Sequence, residues 1–199
     1  MKKVISLLCV AAMLLVFAGC GAQEKPDVVV KAYCEAMVKL DVEAMNQCMT
    51  EPTGDLDALQ SDEMPPELLE LLKQNLQKLT FTVQEPADEA TAVSVTFRYP
   101  DLAPLAEPMV EQILAEAFKL ALTGASEEEM MEAMVKIAVE QYNGFEAEMT
   151  ERTVEFQCKL TEEGWKIEEV PEELAYVILG DINKGMEEIQ DMLDEIGLN

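Results

Sequence analysis

The chain contains no histidine, and this absence excludes more chemistry than any other feature of the sequence. Ser–His and Cys–His nucleophilic sites need an imidazole as proton acceptor, and the common zinc sites use it as a ligand. A glycine-rich phosphate-binding loop is also missing. Acid–base chemistry is left to 40 carboxylates, and no pair among them stands out. The sequence therefore predicts no catalytic, cofactor-binding or metal-binding residues.

Basic residues are scarce, with 14 Lys and Arg against 40 Asp and Glu and a formal net charge of −26. Nucleic-acid binding needs clustered Lys and Arg, so this composition excludes it as a partner class. A strongly acidic surface attracts cations or basic peptides, and it also simply keeps a protein soluble. The acidic stretch 55–63 lacks the spacing of a calcium loop and is typical of a solvated loop.

The chain has no apolar run of about 20 residues, the length that spans a bilayer. Its longest run, Val4–Val16, follows Lys2 and Lys3 and ends in Phe17-Ala18-Gly19-Cys20. A charged start, a short apolar centre and small residues before the cut are typical of a secretory signal peptide. The last four residues resemble the lipobox of bacterial lipoproteins, although Phe17 stands where Leu is usual.

The lipobox predicts that residues 1–19 are removed and that Cys20 carries the lipid. Residues 20–26 then form a short polar tether, and residues 27–199 form a single domain. The expected location is the extracytoplasmic face of the cell membrane, with the membrane as a partner through the anchor.

Three cysteines remain after Cys9 is removed and Cys20 is lipidated. Cys34 and Cys48 lie seven residues either side of Asp41, where a helical hairpin would bring them together. The two form a candidate disulfide, and the alternative is that all three, including Cys158, are buried as small apolar side chains.

Apolar spacing of three and four residues predicts helices in the first part of the chain. The first runs from Pro26 to Leu40 with Asp27 as its N-cap, the second is capped by Asp41, and the third begins at Pro65–Pro66. From Leu79 the period changes to two, which predicts a strand through Phe81 and Val83 and another over 91–99.

A helical pair should follow. Its first helix begins near Pro108, and Ser126 and Glu129 form a capping box at the start of the second. The predicted inward faces are Met109, Ile113, Ala117, Phe118 and Ala121 on the first helix, and Met130, Met134, Ile137, Ala138 and Tyr142 on the second. The methionines of the second helix suit either core filling or an adaptable binding groove.

Alternation returns over 154–160 and continues through Trp165 and Ile167, which predicts a hairpin. A final helix is expected from Pro171 to Ile196, with Gly180 and Gly185 as weak points. Its long apolar stripe must be buried, either on its own domain or against a partner chain.

Two stretches of the chain are similar to a known family. They are Pro26-Asp27-Val28-Val29-Val30-Lys31-Ala32-Tyr33, leading to Leu40-Asp41, and Lys159-Leu160-Thr161-Glu162-Glu163-Gly164-Trp165-Lys166-Ile167. With the order of elements, they resemble the nuclear transport factor 2-like (cystatin-like) lipoproteins of Gram-positive bacteria. The resemblance implies an α+β cone fold, in which a curved antiparallel sheet is covered by N-terminal helices. The helical pair would be an insertion and the last helix an addition.

The function expected from these features is a membrane-tethered binding or scaffold module that takes a small apolar ligand or a protein partner. The candidate apolar pocket lies on the concave face of the sheet, at Val93, Val95, Phe97, Phe156 and Trp165. The alternative is an isomerase or dehydratase of the same cone fold, which needs a buried carboxylate beside a tyrosine.

The lipid anchor can be tested by replacing Cys20. Cys20→Ala should release the protein from membranes or leave it uncleaved, because alanine has no thiol to which the lipid can be attached. Metabolic labelling with a fatty acid measures the result, and Cys9→Ala is the matched control that should stay labelled. A Cys20→Ala protein that still takes up the fatty acid would contradict the prediction.

Overall fold

The structure is a computed structural model that describes residues 25–52, 64–87 and 91–195. The predicted signal peptide, Cys20, residues 21–24 of the tether and the acidic stretch 55–63 lie outside these ranges. The helices are α1 Pro26–Val38, α2 Val42–Gln47, α3 Pro66–Lys78, α4 Ala106–Thr123, α5 Glu127–Gly144, α6 Glu173–Leu179 and α7 Ile182–Glu195. The strands are β1 Thr80–Val83, β2 Ala92–Pro100, β3 Met149–Thr161 and β4 Gly164–Glu169, with a 3-10 turn at Ala103–Leu105.

The four strands form one curved antiparallel sheet in the order β1-β2-β3-β4, which confirms the predicted α+β class. Neighbours in sequence are neighbours in space, so α4 and α5 are inserted between two paired strands. The insertion closes where Pro100 faces Met149 and the amide of Asp101 donates to the carbonyl of Glu148 at 2.7 Å. Among the described helices, none has the length and apolar character needed to cross a membrane.

The core lies between α1 and the sheet. Alternate residues of β2 and β3 point to one face, so their branched and aromatic side chains are buried against the apolar stripe of α1. On the helix side the stripe is Val30, Tyr33, Cys34 and Met37, all at most 1% exposed. The ring of Tyr33 meets that of Phe156 edge-on, with centroids 5.8 Å apart.

The start of α1 differs from the prediction. Lys25 occupies the N-cap position without a side-chain cap, and Pro26 is the first helical residue. Asp27 is therefore in the first turn, not at the cap. Proline suits this position because its missing N–H is one that the first turn leaves unpaired anyway. The cap of α2 is confirmed, since the Asp41 carboxylate accepts from the Ala44 amide at 3.0 Å.

The predicted single helix over 171–196 is wrong, because the chain breaks between α6 and α7. Gly180 and Asp181 both have left-handed backbone angles, φ 63° and 59°. The break lets the corner approach the end of β2, where the Leu102 amide donates to the Gly180 carbonyl at 2.6 Å. A Cβ on Gly180 would lie 2.8 Å from the Pro100 carbonyl oxygen. The two helices pack on α3, α4, β3 and the 3-10 turn, so of the two alternatives the structure shows packing on their own domain.

Asp181 links this corner to the sheet through a buried polar cluster. Tyr99 donates to one carboxylate oxygen at 2.8 Å, and Arg152 donates to the other at 2.7 Å and to the Tyr99 hydroxyl at 3.1 Å. The guanidinium also lies 4.9 Å above the ring of Tyr176. Asp181 is only 7% exposed, and its charge is compensated inside the domain as a buried carboxylate requires.

Cys34, Cys48 and Cys158 are free, buried thiols, so the predicted Cys34–Cys48 disulfide is absent from the structure. The helical hairpin about Asp41 does bring both residues into one apolar core. They pack there as separate small side chains, which is the alternative that the sequence left open. Burial raises the pKa of the Cys34 thiol to about 12 and that of Cys158 to about 11.

These thiols should be inert in the folded protein. A thiol reagent needs the thiolate, so the mature Cys20→Ala chain should not react at pH 8 when folded. In denaturant without reductant, three equivalents of thiol should react, and a single equivalent would instead reveal a Cys34–Cys48 bridge.

The raised pKa of Cys34 also makes stability depend on pH. The pKa of the thiol is 9.0 when it is not buried and about 12 in the folded protein. The contribution of Cys34 to the free energy of unfolding is therefore full below about pH 9 and is lost as the pH rises toward 12.

The docking of α7 depends on Gly185. A Cβ there would lie 2.5 Å from the Ala103 carbonyl oxygen and 2.7 Å from the Ala106 Cβ. Gly185→Ala should therefore lower the free energy of unfolding by about 1–3 kcal/mol, the usual cost of overpacking. Gly144→Ala at the end of α5 is the matched control, since nothing lies within 4 Å of its added Cβ. Chemical denaturation compares the two, and equal effects would contradict the close approach.

Candidate functional site

The predicted pocket on the concave face of the sheet is not a cavity. Val93, Val95, Phe97 and Phe156 are all 0% exposed, and Trp165 packs against the same core. The helices α1 and α3 pack on this face of the sheet, so the space beside the four fully buried side chains is filled. These four residues stabilise the fold and line none of the cavities described below.

An open groove of about 670 Å³ lies between the start of α3 and the outer side of α5. Its floor is apolar, formed by Met131, Val135 and Val139 at steps of four residues on α5. Val135 is buried, whereas Met131 is 56% exposed. The volume lies in the range of roughly 300–1,000 Å³ that ligand sites occupy. We call this cavity the α3–α5 groove.

The rim of the α3–α5 groove is acidic. Glu67 contributes from α3 and Glu128, Glu132 and Glu140 from α5, against one basic lining residue, Lys136. Lys136 lies 3.8 Å from Glu140. Both side chains are exposed, and ion pairs between exposed side chains are weak in water. The groove therefore carries a net negative charge over an apolar floor.

The local sequence fixes the helices that form this groove. Pro65 and Pro66 begin α3 without a side-chain cap. At the start of α5, the Ser126 hydroxyl accepts from the Glu129 amide at 3.2 Å, and the Glu129 carboxylate accepts from the Ser126 amide at 2.8 Å. This confirms the predicted capping box. Glu129 is occupied by the cap, which leaves Glu128 and Glu132 for the rim.

The helices α3 and α5 contact each other near their C-terminal ends. Lys78 at the end of α3 lies 5.3 Å above the ring of Tyr142 near the end of α5. A second cavity of about 340 Å³ follows the same seam and shares Glu67 and Val139 with the first. It adds Leu71 to the apolar lining and Glu70 to the acidic one. The groove therefore continues along the length of α5.

The outer side of α4 differs from its predicted face. Phe118 is 67% exposed, and Ala121 is exposed too. Leu114 and Leu122 lie one turn either side of Phe118 and are 62% and 73% exposed. Only Met109, Ile113 and Ala117 of the predicted face are partly covered.

The enzyme alternative calls for a buried carboxylate beside a tyrosine, and Asp181 and Tyr99 meet that description. Both Asp181 oxygens are already hydrogen-bonded, one to Tyr99 and one to Arg152. Burial raises the pKa of the Tyr99 hydroxyl to about 12, although its hydrogen bond with Arg152 acts in the opposite direction. Neither Asp181 nor Tyr99 lines the groove or the other surface cavities of the described residues. In the described part of the chain, no three acidic or cysteine side chains are grouped closely enough to hold a metal ion.

The sequence did not single out the groove residues. The predicted face of α5 is partly covered throughout, because it packs on α4. The floor is a second apolar stripe, one residue further along the same helix. Its signal in the sequence is Met131, Val135 and Val139 at four-residue steps, bordered by Glu128, Glu132 and Glu140.

Comparison with known proteins gives little for this chain. No protein-family model matches it, and no curated protein matches it either. It is similar to the crystal structure of a candidate lipoprotein from Bacillus subtilis, with a TM-score of 0.37 and 15% sequence identity. The match covers 87% of this chain and 54% of the other, so this chain spans about half the length of that protein.

Proposed function

We propose that the protein is a lipid-anchored module on the extracytoplasmic face of the cell membrane and that it binds a partner through the α3–α5 groove. The lipobox ending in Cys20 supports the anchor. The chain order of helices, sheet, insertion and hairpin supports a body of the nuclear transport factor 2-like kind. The partner is held outside the cone, on the inserted helices.

The observation that carries the proposal is the groove itself. It combines about 670 Å³ of open volume with three apolar side chains in a row and several carboxylates around them. Binding sites commonly have an apolar floor and a few polar groups that fix orientation. The filled cone interior supports the same conclusion, since it offers a small ligand no space on the concave face.

Catalysis is not part of this proposal. Asp181, the buried carboxylate that an isomerase would use as its base, is neutralised by Arg152 and hydrogen-bonded to Tyr99. Both carboxylate oxygens are engaged in these bonds, and Asp181 lines none of the cavities described above. The cluster instead connects the C-terminal helices to the sheet.

A photo-crosslinking amino acid placed at position 131 of the full-length protein tests the proposal in intact cells. Met131 is 56% exposed on the groove floor, so a bound partner should be captured in a discrete product. The matched control is the same amino acid at Leu122, which is 73% exposed on the other side of the insertion. Identical products from both positions, or none from position 131, would contradict a partner in the groove.

A further inference from the structure

The chemistry of the α3–α5 groove restricts what can occupy it. Its floor consists of Met131, Val135 and Val139, with Leu71 further along the seam. Methionine and valine offer dispersion contacts and no directed hydrogen bonds, and a methionine side chain adapts its shape to its neighbour. An occupant must therefore present an apolar face to the floor.

The acidic rim of the groove favours an occupant that carries positive charge. Within the described residues, Glu67, Glu128 and Glu132 have no basic group within 4 Å, and Glu140 has only the 3.8 Å contact with Lys136. Glu128 is in the first turn of α5, where an acid also stabilises the helix end, but Glu132 and Glu140 lie beyond that turn. These carboxylates are exposed and free to pair with cations on an occupant.

The length of the groove suits a helix. Its lining on α5 extends from Glu128 to Asn143, which is about 22 Å at 1.5 Å per residue. The floor side chains recur every fourth residue and form a ridge inclined to the helix axis. Such a ridge interdigitates with the matching ridge of another helix.

We propose that the α3–α5 groove binds a basic amphipathic helix of another polypeptide, about four turns long. Its apolar face lies on Met131, Val135 and Val139, and its lysines and arginines pair with the acidic rim. This is the helix-in-groove mode of recognition, with charge complementarity supplied by the rim. The inference rests on the proposed function, because it names the partner of the same site.

The net charge of −26 attracts any cation, so the test must separate the groove from general attraction. The probe is a fluorescent 15-residue helix of leucine and lysine with its leucines on one face. One control peptide has the same composition with the leucines scattered around the helix, and another has glutamate in place of every lysine. Fluorescence anisotropy at about 0.15 M salt, where the Debye length is about 8 Å, should show binding of the first peptide alone.

Variants of the full-length protein then locate the site. Met131→Glu and the double variant Glu128→Lys/Glu132→Lys should each weaken binding by about tenfold or more, as the loss of a central contact does. Leu122→Glu is matched to the first, and Glu162→Lys/Glu163→Lys in the β3–β4 turn makes the same change in net charge as the second. Both controls should stay within about threefold of the parent. Circular dichroism and the denaturation midpoint confirm that each variant is folded.

The inference would be overturned by equal binding of the scattered peptide, by equal weakening by the two double variants, or by a dimer of the protein that Met131→Glu dissociates. Binding to phosphatidylcholine vesicles that depends on Met131 and is not displaced by the peptide would also overturn it, in favour of a lipid surface. A specific cross-link at position 131 without binding of the basic peptide overturns this inference alone. Peptide binding without a cross-link in cells supports this inference and counts against the proposed function.

Discussion

The close contact between the C-terminal corner and residues 100–106 determines how the rest of the molecule is arranged. Gly180 and Gly185 let two backbone segments approach at distances that a Cβ would prevent. Asp181 adds a partly buried ion pair with Arg152, and removal of Arg152 would leave the Asp181 carboxylate buried without a cation. The segment held in this way is the one from which α4 leaves the sheet. The position of the inserted helices, and with it the groove, depends on this contact.

The covered concave face of the sheet and the open groove on the inserted helices differ in how completely their apolar side chains are packed. The inward positions of β2 are at most 1% exposed, and both α1 and α3 pack against this strand. No room for a ligand is left there. The insertion has the opposite character, since α5 is covered by α4 on one side and only partly by α3 on the other. The apolar side chains on the partly covered side of α5 therefore line the groove.

Much of the architecture could be predicted because local patterns decide it. The alternation of β2 and β3, the Asp41 cap and the Ser126–Glu129 capping box each depend on neighbouring residues. The break at Gly180 and Asp181 could not be predicted in the same way, because a glycine inside a helical pattern signals either a weak point or an end. Which of these occurs is decided by the end of β2, a contact distant in sequence.

The groove was missed for a related reason. A helix with two apolar stripes gives no sign of which one is covered, and α5 has Met130, Met134 and Ile137 on one side and Met131, Val135 and Val139 on the other. Only the placement of α3 settles the matter. The pocket prediction failed because an apolar concave face has the same pattern whether it is filled by a helix or left open. The sequence signal for the groove was the row of glutamates that borders Val135. It did not stand out, because acidic residues are common throughout the chain.

The insertion of α4 and α5 between paired strands also affects how the chain reaches its fold. The β2–β3 ladder joins residues that are separated by the whole insertion, and closing a flexible loop of that length costs conformational entropy that grows with its length. A helical hairpin forms through local contacts within about microseconds, well before distant strands pair. Once Gly124 and the capping box have turned the chain back, the ends of the insertion are already near each other, and the sheet closes over a much shorter effective loop. The two helices on the outside of the molecule thus also shorten the loop that the central strand pair has to close.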